Sequence, residues 1–189
     1  MAIDNFAALV QQAQKATETP TREAFVGSIT GREPYPLEKW NPSHCGHVDI
    51  RIDREGTWFH EGSAIRRPEL ITLFSALLRR EDDGKYYLVT PVEKCEITVD
   101  LHPLMIVDTT TITGGSDNQR LGFVLNVGGI MPLNRDSGLT PEPQASGAAF
   151  IRLPRNLTAL FTRAAWYRLV ADADENGTIL SGSDRFSLL

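Results

Sequence analysis

The sequence has 189 residues and 41% hydrophobic content, which is enough apolar material for one large domain or two small ones. Charged residues make up 23% and are spread along the chain, which excludes a disordered protein. The formal net charge of −5 excludes broad nucleic-acid binding, because such binding depends on clustered Lys and Arg.

The N-terminal residues 1–43 are predicted to form one helix and an extended connector. Asp4 can cap a helix whose apolar residues recur at helical spacing, and that helix is expected to end before Pro20. Three prolines then interrupt any regular element between residues 31 and 43. Trp40 is expected to anchor this connector to the core by packing.

Residues 44–100 are predicted to form a first α+β unit. Alternating side chains indicate a half-buried strand, and the turn after it indicates a hairpin. Pro68 and Glu69 suit the first turn of the helix that follows, and its apolar stripe predicts burial of one face. The expected elements are a strand at 48–53, a turn at 54–56, a strand at 57–60, a helix at 68–79 whose last turn suits Arg79 and Arg80, and strands at 86–89 and 95–100.

Residues 101–189 are predicted to form a second α+β unit that is richer in strands. Residues 134–147 read as a polar, mobile loop because they contain two prolines and few apolar side chains. The expected elements are strands at 104–113, 121–126, 130–133 and 148–153, a helix at about 155–170, and a short tail strand.

The two predicted helices resemble each other, which suggests an internal duplication. Residues 68–75 match residues 155–162 at four apolar or hydroxyl positions when shifted by 87 residues, although any amphipathic helix can carry such a pattern. The expected fold is therefore α+β, a duplicated unit of a small antiparallel sheet plus one main helix, with an N-terminal helix. In a duplicated protein the cleft between the copies is a favoured place for a ligand.

Arginines precede both predicted helices, and this pattern indicates an anion site. Arg66 and Arg67 precede the first helix, while Arg152 and Arg155 precede the second. Cations at a helix N-terminus are disfavoured unless an anion lies there, where amides and guanidinium groups act together. The alternative is that these arginines point outward or pair with acids such as Glu61. The candidate ligand-binding residues are Trp58, Phe59, His60, Ser63, Arg66, Arg67, Arg152 and Arg155.

No catalytic motif emerges, so a non-catalytic binding or sensory module is the favoured class. The chain has no Gly-x-Ser-x-Gly elbow and no phosphate-binding loop, and we assign no catalytic residue and no cofactor. One alternative is a hydrolase or transferase that uses His60 as a general base with Glu61. Another is a protein-interaction adaptor that engages a partner chain through a sheet edge or residues 134–147.

The two cysteines and four histidines predict neither a disulfide framework nor a metal site. We expect Cys45 and Cys95 to be reduced thiols in the cytoplasm. His44-Cys45-Gly46-His47 could bind zinc with His60 or Cys95, but no second paired motif supports this. The first six residues lack a signal-peptide pattern, and no segment reaches the roughly 18 apolar residues of a membrane span.

Several segments together resemble the bacterial family called domain of unknown function 1285. The resemblance runs from about Trp40 to the C-terminus, and Ala64 stands where the family pattern often has proline. It implies a duplicated α+β core with a C-terminal half like pleckstrin-homology folds. It also implies a nucleotide-like ligand between the halves and a role in signalling. The segments that carry it are Trp40-Asn41-Pro42, Cys45-Gly46, residues 58–70, Leu73-Phe74-Ser75, Leu78-Arg79-Arg80 and residues 88–94.

Overall fold

The computed structural model describes residues 6–7, 9–11, 35–113 and 119–188, with the backbone alone at residues 44–46. These residues divide into two compact units, described separately below. Unit 1 comprises Met1–Pro103 and Pro154–Asn156, and unit 2 comprises Leu104–Leu153 and Leu157–Leu189. The five described residues of the predicted N-terminal helix are helical, and the rest of it lies outside the described residues, so that helix stays a prediction.

Unit 1 contains a six-stranded sheet and one helix. The order across the sheet is β3-β2-β1-β6-β5-β4, and each neighbouring pair is antiparallel except β1 and β6, which are parallel. Two three-stranded meanders are therefore joined along β1 and β6. The elements are β1 (His44–Ile52), β2 (Trp58–His60), β3 (Ser63–Ala64), α1 (Pro68–Leu77), β4 (Leu78–Arg80), β5 (Tyr86–Val89) and β6 (Lys94–Val99).

The predicted β1–β2 hairpin is confirmed, and its turn is held by one aspartate. Ile52 lies opposite Trp58 across the hairpin. The Asp53 carboxylate accepts hydrogen bonds from the backbone N–H of Glu55 at 3.1 Å and of Thr57 at 2.8 Å. The same turn needs a left-handed residue, which Gly56 supplies with φ of 79°. The turn thus follows from the Asp53 carboxylate at one end and from the backbone freedom of Gly56 at the other.

Helix α1 begins at Pro68 as predicted but ends earlier than predicted. It buries Leu73, Phe74 and Leu77, and Phe74 stacks on the fully buried Trp58 with ring centroids 6.1 Å apart. The chain turns extended at Leu78, so the two arginines expected in the last helical turn lie instead in strand β4. Propensity alone does not reveal this end, because the stripe of apolar residues continues into the strand.

Unit 2 contains a second six-stranded sheet, one helix and a separate two-stranded hairpin. The order across its large sheet is β10-β11-β12-β7-β8-β9, and β7 pairs with β12 in parallel. The residues expected to form a mobile loop, 134–147, include the short strand β10. The elements are β7 (Leu104–Thr113), β8 (Gln119–Leu125), β9 (Ile130–Pro132), β10 (Thr140–Pro141), β11 (Ala149–Arg152), β12 (Thr158–Phe161), α2 (Arg163–Ala171), β13 (Thr178–Ser181) and β14 (Asp184–Ser187).

The two large sheets repeat the same strand order, so the duplication lies in the sheets. In each unit the first and sixth strands pair in parallel at the centre, and a three-stranded meander extends to either side. The helices occupy different places in this pattern. Helix α1 joins the third and fourth strands of its sheet, whereas α2 follows the sixth strand of its own.

The predicted helix at 155–170 is wrong over its first half. Residues 158–161 form β12, a central strand whose last three residues are buried, and α2 begins only at Arg163. The proposed match between residues 68–75 and 155–162 therefore aligns a helix with a strand. A central strand is buried on both faces, and its short apolar run cannot be told from a helical stripe by periodicity. Thr162 caps α2 by accepting the N–H of Ala165 at 3.3 Å.

The core of unit 2 is built around aromatic rings on β8, β12 and α2. Phe123 and Phe161 are buried and meet edge to face with centroids 4.9 Å apart. Trp166 contacts Phe161 in the same way at 5.4 Å.

Within the described part of the chain, no helix is long and apolar enough to cross a bilayer.

Candidate functional site

A cleft of about 500 Å³ opens in unit 1, and every residue that lines it belongs to that unit. Three stretches of chain that are distant in sequence build it. They are the segment before β1, the end of β4 with the turn that follows it, and the short stretch Pro154–Asn156, which we call the strap. We call this space the unit 1 cleft, and its lining residues are Glu38, Trp40, Asn41, Arg79, Arg80, Glu81, Asp82, Asp83 and Asn156.

Arg79 fixes the wall that carries Trp40. Its Nη1 donates to the carbonyl oxygen of Leu37 at 2.9 Å and to that of Trp40 at 3.0 Å. Its Nη2 forms an ion pair with Glu81, and the Arg79 side chain is only 15% exposed. The Leu37 carbonyl also accepts the backbone N–H of Trp40 at 3.1 Å, which closes the turn of 3-10 helix at Leu37–Lys39. One guanidinium thus holds the connector against β4.

Glu81 accepts from two cations, which sets its charge. Besides Arg79, the Lys94 Nζ donates to Glu81 at 2.7 Å. Burial disfavours the Glu81 carboxylate, but hydrogen bonds from Lys94 and Arg79 outweigh that burial and hold the pKa of Glu81 below its usual value. Lys94 also lies 4.7 Å from the centre of the Tyr87 ring. The floor of the cleft is therefore a closed ionic network that keeps Glu81 ionised.

Tyr87 and Asp83 extend this network along the turn after β4. The Tyr87 hydroxyl donates to Asp83 at 2.8 Å, and burial together with this bond raises the pKa of Tyr87 to about 12. The backbone N–H of Lys85 and the Tyr87 hydroxyl lower the pKa of Asp83. At neutral pH the Tyr87 hydroxyl is therefore protonated and the Asp83 carboxylate is ionised.

The strap forms one side of the cleft, and its backbone has a rare conformation. Arg155 and Asn156 have φ of 63° and 57°, in the left-handed region that non-glycine residues avoid. The strap is tied to β4 because the N–H of Arg80 donates to the carbonyl of Arg155 at 3.1 Å. Arg155 Nη1 donates to the carbonyl of Ala76 at 2.7 Å, at the C-terminal end of α1 where a cation is favoured. Backbone strain of this kind is concentrated at binding sites.

Four charged groups at the cleft form no ion pair with a described residue, and one of them, Asp83, accepts hydrogen bonds from neutral donors alone. Glu38 and Asp82 carry exposed carboxylates with no hydrogen bond or ion pair to any described side chain. Arg80 donates through Nε to the carbonyl of Gly84 at 3.1 Å and lies 5.4 Å from the Tyr86 ring, which leaves both its Nη groups available. The cleft therefore carries three negative charges and one positive charge without an ion pair, and of these Glu38, Asp82 and Arg80 keep polar side-chain atoms without a described hydrogen bond.

The predicted site residues of the first unit are scattered around α1 and β2. Arg66 and Arg67 are exposed, and neither forms an ion pair with a described residue. Arg67 is the N-cap residue of α1, but its side chain makes no capping hydrogen bond. Ser63 is exposed in β3. None of these residues lines the unit 1 cleft.

Trp58 and His60 are held by packing against other rings. Trp58 is fully buried, so this candidate ligand-binding residue is not accessible to a ligand. The His60 ring stacks on that of Phe6 with centroids 3.8 Å apart. Phe59, which alternates with these residues along β2, is half-buried. The buried Trp58 Nε1 finds no hydrogen-bond partner in the part of the chain that the structure describes.

The arginines predicted to precede a second helix do not do so. Arg152 is exposed at the end of β11, and Arg155 lies in the strap of unit 1. Helix α2 begins at Arg163, after the whole of β12. The argument that two helix N-termini each carry a pair of arginines therefore fails for the second pair, because the residues after Arg155 form a strand.

The prediction of reduced cysteines is wrong for Cys95, which is disulfide-bonded. The pairing of β1 with β6 places Gly46 opposite Cys95, so residues that are far apart in sequence lie side by side. A strand pairing of this kind is not visible in the spacing of two cysteines. The Cys95 thiol is therefore not available to a metal, and the described residues contain no group of three or more metal-ligating side chains. The side chains of residues 44–46 lie outside the described ones.

Sequence reasoning missed the residues that line the cleft. We treated Trp40 as a packing anchor and residues 81–84 only as the end of a helix. A usable signal was present, because two arginines followed directly by three acidic residues form an unusually dense run of mixed charge. Asn156 carried no signal, since its place in the cleft depends on the course of the strap.

The fold and the cleft define a two-unit α+β protein with a polar cleft in its first unit. The family models for the N-terminal and C-terminal domains of DUF1285, a domain of unknown function, match residues 35–101 and 103–188. The chain therefore belongs to the DUF1285 family, as the sequence resemblance implied.

Two crystal structures of DUF1285 family proteins are similar to this chain. The protein from Silicibacter pomeroyi DSS-3 is 35% identical, with a TM-score of 0.71 over 89% of this chain and 94% of that chain. The protein from Shewanella baltica OS155 is 24% identical, with a TM-score of 0.55 over 67% of this chain and 94% of that chain, and supports the fold alone. No curated protein matches the chain.

Proposed function

We propose that this protein is a non-catalytic binding module that holds a small polar ligand in the unit 1 cleft. The observation that carries the proposal is the construction of the cleft. Its volume of about 500 Å³ suits a small molecule, and its walls are fixed by Arg79 on one side and by the strained strap on the other. Because these walls are already ordered, the protein loses less conformational entropy when a ligand binds.

The hydrolase or transferase alternative is less well supported. A general base needs an accessible ring within hydrogen-bond reach of its substrate. The His60 ring is instead stacked on Phe6, and His60 lines no described cleft. Its supposed helper, Glu61, lies in an exposed turn with φ of 48° and forms no described hydrogen bond to His60. We therefore favour binding without turnover.

The finer parts of the functional prediction are retained as proposals. One of them is an anionic, nucleotide-like ligand bound by Arg66, Arg67, Arg152 and Arg155. Its support is weaker than the sequence suggested, because Arg152 and Arg155 do not precede a helix. A pleckstrin-homology-like second half, a role in signalling, a protein partner and a cytoplasmic location are proposed on the family resemblance and the sequence alone. The disulfide at Cys95 weighs against the cytoplasmic location, because structural disulfides are rare there.

A thermal-shift screen tests the proposed function. The probes are inorganic phosphate, a nucleoside monophosphate, a free amino acid and a diamine. A binding probe at about 100 times its dissociation constant should stabilise the protein by about 2.7 kcal/mol. The shift should be lost in Asn156→Ala, which changes the cleft, and kept in Arg66→Ala and Arg67→Ala, which change the rival site. A shift lost only in the Arg66 or Arg67 variant, or no shift with any probe, would contradict the proposal.

A further inference from the structure

We infer that the ligand of the unit 1 cleft is a small zwitterion, cationic at one end and anionic at the other, like an amino acid. This inference rests on the proposed function and departs from the purely anionic ligand expected from the sequence. It follows from which charges at the cleft are already paired within the protein and which are available to a ligand.

The polar side-chain atoms of Arg79, Glu81 and Asp83 already form hydrogen bonds within the protein. Arg79 donates to two carbonyls and to Glu81, and Glu81 also accepts from Lys94. Asp83 accepts from the Tyr87 hydroxyl and from a backbone N–H. A ligand that bound to these groups would have to break existing hydrogen bonds, which cancels most of the gain. Recognition therefore falls to the remaining groups.

The remaining negative charges form a place for a cation. Glu38 and Asp82 line the cleft without a described partner, and Trp40 lines it beside them with its ring half-buried. An ammonium group is attracted both by carboxylates and by the face of an indole ring. A purely anionic ligand would instead be repelled by two unpaired carboxylates, so phosphate or a nucleotide fits this part of the cleft poorly.

The remaining donors form a place for a carboxylate. The Arg80 guanidinium is oriented by its bond to the Gly84 carbonyl and by the Tyr86 ring, with both Nη groups left as donors. The Asn156 side chain lines the cleft and makes a single long contact of 3.5 Å through Nδ2 to the Arg80 carbonyl. Guanidinium forks bind carboxylates with two parallel hydrogen bonds, which fixes both the position and the orientation of the ligand.

The sign of the change in affinity on removing one charge tests this inference. Calorimetric titrations use four probes: L-lysine, which carries both charges; glutarate, which carries only carboxylates; cadaverine, which carries only amines; and inorganic phosphate. L-Lysine should bind most tightly. Asp82→Asn and Glu38→Gln should each weaken L-lysine by about five- to tenfold, as expected for a lost charge-assisted hydrogen bond. The same two variants should strengthen any residual binding of glutarate.

Arg80→Gln should weaken both L-lysine and glutarate and leave cadaverine unchanged or slightly tighter. The matched controls are Asp136→Asn and Arg185→Gln, which remove exposed charges outside the cleft and should change nothing.

The possible outcomes separate this inference from the proposed function. If phosphate binds more tightly than L-lysine and Asp82→Asn increases the affinity for phosphate further, the ligand is an anion. The zwitterion inference is then overturned, whereas the proposed binding function is not. If cadaverine binds, L-lysine does not, and Arg80→Gln leaves the affinity for cadaverine unaltered, the ligand is purely cationic and the zwitterion inference is overturned. Failure of every probe to bind wild-type protein would overturn both. Weaker L-lysine binding in all three cleft variants, with unchanged controls, supports both.

Discussion

Replacing Arg79 with alanine should destabilise unit 1 more than any single exposed ion pair does. The side chain is 15% exposed and donates to two backbone carbonyls as well as to Glu81. Each hydrogen bond from a charged donor contributes about 1.5 kcal/mol, so the two carbonyl bonds alone account for about 3 kcal/mol. The variant also leaves Glu81 with Lys94 as its one described cation, which adds to the cost.

Urea unfolding measures this loss, with Arg51→Ala as the matched control. Arg51 also forms an ion pair, with Asp100, but its side chain is 53% exposed, so its removal should cost much less. A Glu81→Gln variant and the double variant complete a cycle that isolates the Arg79–Glu81 interaction. The reasoning is refuted if Arg79→Ala costs no more than Arg51→Ala, because the two carbonyl bonds would then contribute nothing.

Three further predictions concern stability at defined positions, each checked by denaturant unfolding. Gly122→Ala should cost about 1 kcal/mol, because its new Cβ would lie 2.7–2.8 Å from two isoleucine side chains that can shift only partly. Asp53→Ala and Asp174→Ala should each cost about 1 kcal/mol, since each carboxylate accepts two backbone N–H groups of its turn, the β1–β2 hairpin turn for Asp53 and the α2–β13 turn for Asp174; equal stability to wild type would contradict this. Burial raises the pKa of Glu93, so the folded state binds this proton more tightly than the unfolded state does, and stability should fall as pH rises through that pKa. Glu93→Gln should remove this dependence and stabilise the protein at pH 7 by on the order of 1 kcal/mol, because the buried Oε1 has no hydrogen-bond partner among the described residues.

Local patterns predicted the fold well where one face of an element is buried and the other is not. The β1–β2 hairpin and the start of α1 at Pro68 follow from alternation, turn residues and capping, all of which act within a few residues. The prediction failed at β12, where a central strand is buried on both faces and its apolar run imitates a helix. It also failed at Cys95, whose disulfide depends on a parallel strand pairing that no local signal specifies.

The candidate site was harder to predict than the fold because it is assembled from three distant stretches. Arg80 and Asp82 stand side by side in sequence, but their role depends on the connector and on the strap being brought to them. Arg155 was predicted to precede the second helix and to bind an anion there. It precedes no helix, and its guanidinium instead donates to the carbonyl of Ala76 in the last turn of α1.

The different placement of the helices explains why the repeated sheets need not share a site. In unit 1, α1 joins the third and fourth strands, and its end delivers Arg79 and Arg80 directly into the fourth strand. In unit 2 the corresponding connection is residues 133–139, which are fully described and contain no helix, and its fourth strand, β10, has only two residues. No arginine lies in that short strand, so the equivalent position lacks the group that fixes the wall of the cleft. A site built on the helix-to-strand junction is therefore a property of unit 1, and substitutions in β10 should leave ligand binding in the unit 1 cleft unchanged.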